Sequence, residues 1–297
     1  MTFERPAQLD IFEHSHDVAL RNDALAAIDR RDAAAAADAA DRLAAESPDD
    51  ALLPALRELV ATLVPPCTAL FLDHDALAAA RRELDERIAP AAQRAFGTKD
   101  AQAWLAPHWI ELAQRAELLK FRPDRPQDHA APLFMRAHQW KAAASAIASI
   151  ENWRRQTQTL AWMAEAKLHA HGLGACWPVV AELAWLAPSA LADLARRAVP
   201  DPLLCQLVRR FAAVFDGAGD ESDLAWFPAW LLIDRPDLEA GLAHAPAAQN
   251  SAPERALRLL LELLGLERRG EHQALVERRE ALRSLSAPLY SAYLATR

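Results

Sequence analysis

Two closely spaced histidine pairs are the first candidates for chemistry, because imidazole is a common zinc ligand. The pairs are His14 with His16, and His169 with His171. Residues two apart on a helix point in different directions, and neither pair has a cysteine or an acidic residue at an established zinc-site spacing. We therefore predict no metal site.

The triplet Asp73-His74-Asp75 combines the carboxylate and imidazole groups that general acid–base catalysis uses. It stands where a helix is expected to start. Side chains at that position cap free backbone N–H groups, and negative charge there complements the helix dipole. We interpret the triplet as a helix cap and not as a catalytic site.

The glycine pairs do not match nucleotide-binding loops. Gly172 and Gly174 are followed by Trp177 where a dinucleotide-binding fingerprint needs its third glycine, and the pair Gly217 and Gly219 also lacks that glycine. The sequence contains no Walker lysine motif, no HExxH and no GxSxG. We therefore predict no catalytic residues and no cofactor.

Charge and cysteine content limit the partners and the compartment. The chain has 33 Lys and Arg against 41 Asp and Glu, a formal net charge of −8, so no overall attraction draws it to nucleic acid or to anionic membranes. Cys67, Cys176 and Cys205 are odd in number and far apart, which predicts neither a disulfide framework nor a zinc knuckle. The chain shows no signal peptide and no apolar run approaching about 18 residues. A cytoplasmic protein without membrane or direct nucleic-acid contacts is expected.

Composition and apolar spacing predict helices throughout the chain. Hydrophobic residues make up 52% of it, many of them alanine, and glycine occurs only 8 times. Leu52, Leu56 and Leu59 recur at helical spacing, and Pro48 separates them from an alanine-rich stretch. We expect helices at about 16–30, 33–46, 51–64, 131–149, 151–171, 175–187, 189–198, 202–216, 252–269 and 271–285. A further helix is expected from about 73 until Pro90 and then Gly97 interrupt it.

The chain is expected to contain an extended N-terminal peptide over 1–15, a helical-hairpin region over 16–122 and a Trp-rich helical-repeat region over 130–297. We expect the first segment to be extended because Pro6 disfavours helix. The polar segment 121–129, with two prolines, is the best linker candidate. One elongated domain and two compact subdomains both fit the length.

Small and large apolar residues recur at intervals along one stretch of the chain, at Leu160, Met163, Ala164, Cys176, Val180 and Leu183, with a closing Pro188. With these residues, the segment 160–188 resembles a degenerate tetratricopeptide repeat. Lys167 stands where that family usually has an aromatic residue, and Cys176 where it usually has alanine. The resemblance implies an all-α solenoid of stacked helical hairpins, each of which buries its apolar face against a neighbour.

The segment Gln8-Leu9-Asp10-Ile11-Phe12 resembles the short motif with which bacterial proteins bind the DNA sliding clamp. The family pattern is Gln, Leu, Ser or Asp, Leu, then Phe, so Ile11 is the one departure. The resemblance implies that Gln8 hydrogen-bonds at a small polar subsite. Leu9, Ile11 and Phe12 would enter an apolar cleft on the clamp, as an extended peptide placed in a groove.

The motif leaves more than one function open. Its apolar residues could instead form a lid over the first hairpin, with Ile11 or Phe12 stapling the helix that follows. The leading prediction is a non-enzymatic protein–protein interaction adaptor, linked to replication or repair through the clamp. The alternatives are a helical-repeat scaffold or chaperone-like module without clamp contact, and an all-α enzyme or ligand binder that uses the Trp- and His-rich middle of the chain. The partner on the concave face and the oligomeric state stay open.

Overall fold

The computed structural model describes residues 7–63, 69–197, 202–246 and 250–297, with side chains from His16 onward. Within these ranges the secondary structure is helical and contains no β-strand, so the expected all-α class is confirmed. No helix in this part of the chain is long and apolar enough to cross a bilayer.

The chain divides into two compact units, the first ending at Gln139 and the second beginning at Trp140. The helices of the first unit are α1 (Ala7–Asp29), α2 (Ala33–Glu46), α3 (Leu53–Ala61), α4 (His74–Glu83), α5 (Ala89–Arg115) and α6 (Ala130–Arg136). Those of the second unit are α7 (Trp140–Ala148), α8 (Thr157–His171), α9 (Leu173–Leu186), α10 (Pro188–Arg196), α11 (Pro202–Val214), α12 (Phe227–Asp234), α13 (Glu239–Ala243), α14 (Ala252–Arg269), α15 (His272–Leu285) and α16 (Ala287–Leu294).

Helices α1 and α2 pack together as a hairpin closed by residues 30–32. Arg31 adopts the left-handed conformation that reverses the chain, with φ 57°. Asp32 caps α2, its carboxylate accepting a hydrogen bond from the Ala35 N–H at 3.0 Å. The small side chains on the buried face of α2 allow the two backbones to approach closely. That face consists of Ala36, Ala39, Ala40 and Leu43.

Helix α1 begins at Ala7, whereas the sequence predicted an extended peptide as far as residue 15. Residues 8–12 therefore lie in the first turns of a helix. A proline restricts the residue that precedes it and leaves those that follow free to be helical, and its own fixed φ suits a helix start. Pro6 therefore does not oppose helix from Ala7 onward.

Helix α4 runs into α5 through a π-helical turn, Leu84–Ile88. Pro90, expected to interrupt the helix, lies just after this wider turn and inside α5. The break comes at Gly97, the second expected interruption, with φ 77° and ψ 166°, a conformation open mainly to glycine. A Cβ added there would meet nothing within 4 Å, so the backbone conformation and not the space requires glycine.

The segment 121–129, predicted to be a linker, lies inside the first unit. Two polar contacts hold it against α4. Arg125 pairs with Asp75, and Arg81 donates a hydrogen bond to Asp128 at 3.0 Å. The boundary between the units therefore follows α6, a helix expected from the sequence to belong to the C-terminal region.

In the second unit, glycines reverse the chain between packed helices. Gly172 (φ 76°) separates α8 from α9, and Gly270 (φ 69°) separates α14 from α15. Helix α12 packs on α9, α14 and α16, so helices distant in sequence meet around it. Its Phe227 and Trp230 join Phe211 of α11 in an aromatic cluster.

Candidate functional site

The segment 8–12 lies in a part of α1 that extends past the end of α2. At that end His16 contacts the Glu46 carboxylate at 2.7 Å, and the Ser47 hydroxyl donates to Asp17 at 2.5 Å. Because the two helices form a closed hairpin, α2 ends opposite His16 and does not reach residues 7–15. At 1.5 Å per residue this overhang is about 13 Å long.

A second candidate surface is a groove on the first unit, which we call the Arg31 groove. Its walls are the end of α1, the α1–α2 turn, and α5 on both sides of Gly97. Its volume is about 600 Å³. The lining residues are Leu25, Ala26, Asp29, Arg31, Phe96, Asp100, Ala103, Trp104 and Pro107.

The guanidinium of Arg31 is held against α5 by three contacts. Nη2 donates to the backbone oxygen of Trp104 at 2.7 Å, and Nη1 lies 3.3 Å from Nε2 of His108. The guanidinium carbon lies 5.1 Å from the centre of the Trp104 ring, a cation–π distance. The Trp104 ring is itself fixed, because its Nε1–H donates to the Ile28 oxygen at 3.2 Å.

The charges of the Arg31 groove follow from these contacts. Burial, with a smaller effect from Arg31, lowers the pKa of His108 to about 4. His108 is therefore neutral at pH 7, and its Nε2 can accept the proton that Arg31 offers. Among the described residues, neither Asp29 nor Asp100 forms an ion pair. The groove thus offers an aromatic and apolar surface beside one fixed cation and two carboxylates.

The histidine pairs take part in structural contacts. His169 stacks on Trp140, with ring centroids 3.9 Å apart and an interplanar angle of 14°. His16 contacts Glu46, and the His14 side chain lies outside the described residues. Within the described ranges, no three His, Cys, Asp or Glu side chains gather as a metal site would require.

The triplet at residues 73–75 caps α4, as predicted. The Asp73 carboxylate accepts from the Ala76 N–H at 2.8 Å. Nε2 of His74 lies 2.8 Å from the backbone oxygen of Lys120, and Asp75 pairs with Arg125. All three side chains therefore have structural partners in the first unit.

Arg31 was not among the site residues expected from the sequence. One signal was available, because the turn between the two predicted helices is so short that one of its residues must take a positive φ. A charged residue at a position where glycine would adopt the positive φ with less strain indicates that its side chain has a structural or functional role.

Comparisons with other proteins do not place this chain in a family. No protein-family model, no curated protein and no solved structure matches it.

Proposed function

We propose that this protein is an interaction adaptor, built of stacked tetratricopeptide-like helical hairpins, that tethers itself to the bacterial DNA sliding clamp through residues 8–12. The motif Gln8-Leu9-Asp10-Ile11-Phe12 carries the proposal. Its place in the α1 overhang supports it, because α2 does not cover that part of the helix.

Clamp binding of the expected kind requires residues 8–12 to leave the helix and become extended. The cost of this change is small for a short helical end. Isolated helices of fewer than about 12 residues are marginal in water, and the backbone groups freed on unwinding can bond to water or to the clamp. The hairpin contacts of His16 and Asp17 with the end of α2 stay in place during the change.

The affinity would come from a few apolar anchors. Each of Leu9, Ile11 and Phe12 contributes on the order of 1.5–3 kcal/mol when it is fully buried. Association entropy and the ordering of the peptide offset much of this gain. A dissociation constant in the micromolar range is therefore expected, equivalent to about −8 kcal/mol at 1 μM.

The Arg31 groove would serve the adaptor as a docking surface for a second protein. Aromatic and arginine side chains that are fixed in advance lose little entropy on binding, which is why they are frequent hot spots. Trp104 and Arg31 are fixed by hydrogen bonds within the first unit. Asp29 and Asp100 at the same groove provide charge for orienting the partner.

The test is calorimetric titration of a purified bacterial sliding clamp into the intact protein. We expect micromolar binding, which the double variant Leu9→Ala/Phe12→Ala loses because both main anchors are gone. The control is Val18→Ala, an exposed residue of α1 outside the motif, which should bind as the wild type does. Absence of binding by the intact protein, or equal binding by the double variant, would remove the clamp tether and leave a helical-repeat scaffold.

A further inference from the structure

A pocket on the second unit has a more apolar floor than the Arg31 groove. We call it the α11 pocket. Its volume is about 330 Å³. Helix α11 forms one wall, α10 forms another, and the 3₁₀ turn Glu221–Trp226 forms the third.

Helix α11 turns an apolar stripe towards the pocket. Val208, Phe211, Ala212 and Phe215 recur at i, i+3, i+4 and i+7, the spacing of one helix face. Phe211 is 1% exposed. Its ring contacts those of Phe227 and Trp230 edge-on at centroid distances of 5.7 and 5.4 Å. The floor is therefore rigid, because it is part of the core of the unit.

The rim of the pocket is acidic. It carries the carboxylates of Asp220, Glu221 and Asp223 and the guanidinium of Arg196. Arg196 donates to Glu221 at 2.8 Å and to Asp193 at 2.5 Å, so its charge is shared between two carboxylates. Among the described residues no cation pairs with Asp220 or Asp223. The rim therefore keeps a negative charge that the protein does not neutralise.

The acidic loop is held in place by its own backbone. Asp223 accepts hydrogen bonds from the N–H groups of Ala218 at 2.9 Å and Gly219 at 2.7 Å. Gly217 lies so close that an added Cβ would come within 2.3 Å of the Asp223 carboxylate. Because the loop is fixed, its charges face the pocket mouth without an ordering cost on binding.

We propose that the α11 pocket binds a basic–apolar peptide segment of a partner protein. One leucine, methionine or phenylalanine side chain of the peptide fills the pocket over Phe211 and Phe215, and Lys or Arg residues beside it face Asp220 and Glu221. The apolar floor supplies the anchor, and charge complementarity selects the sign of the flanking residues. The site is separate from residues 8–12, so it does not depend on clamp binding.

The test uses fluorescein-labelled peptides of about ten residues with a central Leu, Met or Phe. One set has Lys and Arg flanks, and a matched set has Glu and Asp at the same positions. Fluorescence anisotropy with the intact protein should show basic peptides binding with dissociation constants of about 1–100 μM, typical of short linear segments. The acidic set should bind at least tenfold more weakly. Binding of the basic set should weaken when salt rises from about 0.05 to 0.5 M.

Two variants locate the binding. Ala212→Trp places an indole in the mouth of the pocket and should weaken binding by about tenfold or more. Ala213→Trp, one position along the same helix and outside the lining, is its matched control and should bind normally. Asp220→Asn/Glu221→Gln removes two rim charges and should cost the basic peptides about three- to tenfold. Asp237→Asn/Glu280→Gln removes two charges elsewhere in the unit and should cost nothing.

Three outcomes would overturn the proposal. The first is that no basic peptide distinguishes the wild type from Ala212→Trp while both proteins melt at the same temperature. The second is that the acidic set binds as tightly as the basic set. The third is that sedimentation shows self-association that Ala212→Trp abolishes, because the occupant would then be a second copy of the chain. Loss of clamp binding leaves all of these measurements unchanged, so the two proposals fail separately.

Discussion

The α1–α2 hairpin of the first unit and the aromatic cluster of the second unit are filled by different side chains. In the first unit the α1–α2 hairpin closes on a face made of alanines and Leu43. In the second unit Phe211, Phe227 and Trp230 pack ring against ring, and most of the tryptophans of the chain lie from Trp140 onward. Close backbone approach and large aromatic side chains are two ways of filling an interior without voids. Truncating a single side chain should therefore lower the free energy of unfolding by different amounts in the two regions.

The units also bury titratable groups of opposite kinds. Burial lowers the pKa values of His108 and His129 in the first unit to about 4. Burial raises the pKa of Glu182 in the second unit, although Arg154 works against the shift. Acid should therefore weaken the first unit, while the Glu182 contribution has the opposite dependence on pH.

The largest effect is expected from Phe227→Ala. This side chain is fully buried, and its removal leaves a cavity lined by rigid rings that cannot collapse. We expect a loss of about 3–5 kcal/mol in the free energy of unfolding of the second unit. Chemical denaturation followed by circular dichroism measures it.

The matched truncation in the first unit is Leu43→Ala, which is equally buried. It should cost about 2–3 kcal/mol, because a smaller side chain is removed and small neighbours close part of the gap. Val276→Ala, at a 62% exposed position, should change little. If Leu43→Ala costs as much as Phe227→Ala, the contrast between the two interiors is wrong.

An intermediate effect is expected on acidification of the first unit. His108 and His129 have folded pKa values of about 4 against an ordinary value of 6.5. The unfolded chain therefore binds more protons between these values, and stability is lost as pH falls from 6.5 towards 4. We expect His108→Gln/His129→Asn to retain about 1–3 kcal/mol more of its neutral-pH stability at pH 4.5 than the wild type. Both replacements are neutral, and Asn keeps the helix cap that His129 provides.

Urea denaturation at pH 7 and pH 4.5 makes this comparison. Exposed His272→Gln is the control and should follow the wild type. Parallel losses of stability in the wild type and the double variant would show that the two buried histidines do not cause acid sensitivity.

The smallest effect is expected from Glu182→Gln. The pKa of Glu182 in the folded protein lies above its ordinary value of 4.5. Just above pH 4.5 the folded state therefore binds more protons than the unfolded state does. The Glu182 contribution to stability therefore decreases as pH rises through the folded pKa. Relative to the wild type, Glu182→Gln should gain roughly 1 kcal/mol or less between pH 4.5 and 7. The prediction is wrong if the difference in unfolding free energy between Glu182→Gln and the wild type stays constant across this pH range, as it should for the exposed Glu280→Gln.

Helix positions were predictable where signals were local. The bounds of α2 and the cap at Asp73 follow from residues within one turn of each other. The start of α1 was missed because the steric effect of Pro6 was assigned to the wrong side of the proline. The helical class was accessible from alanine content and spacing alone.

The sites depend on contacts between distant residues, and spacing cannot show those. Arg31 and Trp104 are 73 residues apart in the sequence. Arg81 and Asp128, whose contact packs the expected linker against α4, are 47 residues apart. The α11 pocket combines three elements whose separate sequences look like ordinary helix faces and an acidic loop. Only their packing brings an apolar floor and a charged rim together.

The break in α5 at Gly97 imposes a constraint of handedness. Its φ and ψ are unfavourable for an L-residue, yet there is open space where a methyl group would point. A D-alanine placed there by chemical ligation would adopt these angles without strain. For a D-residue they are the mirror image of the ordinary β region. The bend in α5 beside Trp104 therefore depends on the absence of an L stereocentre at position 97, whatever the size of the residue.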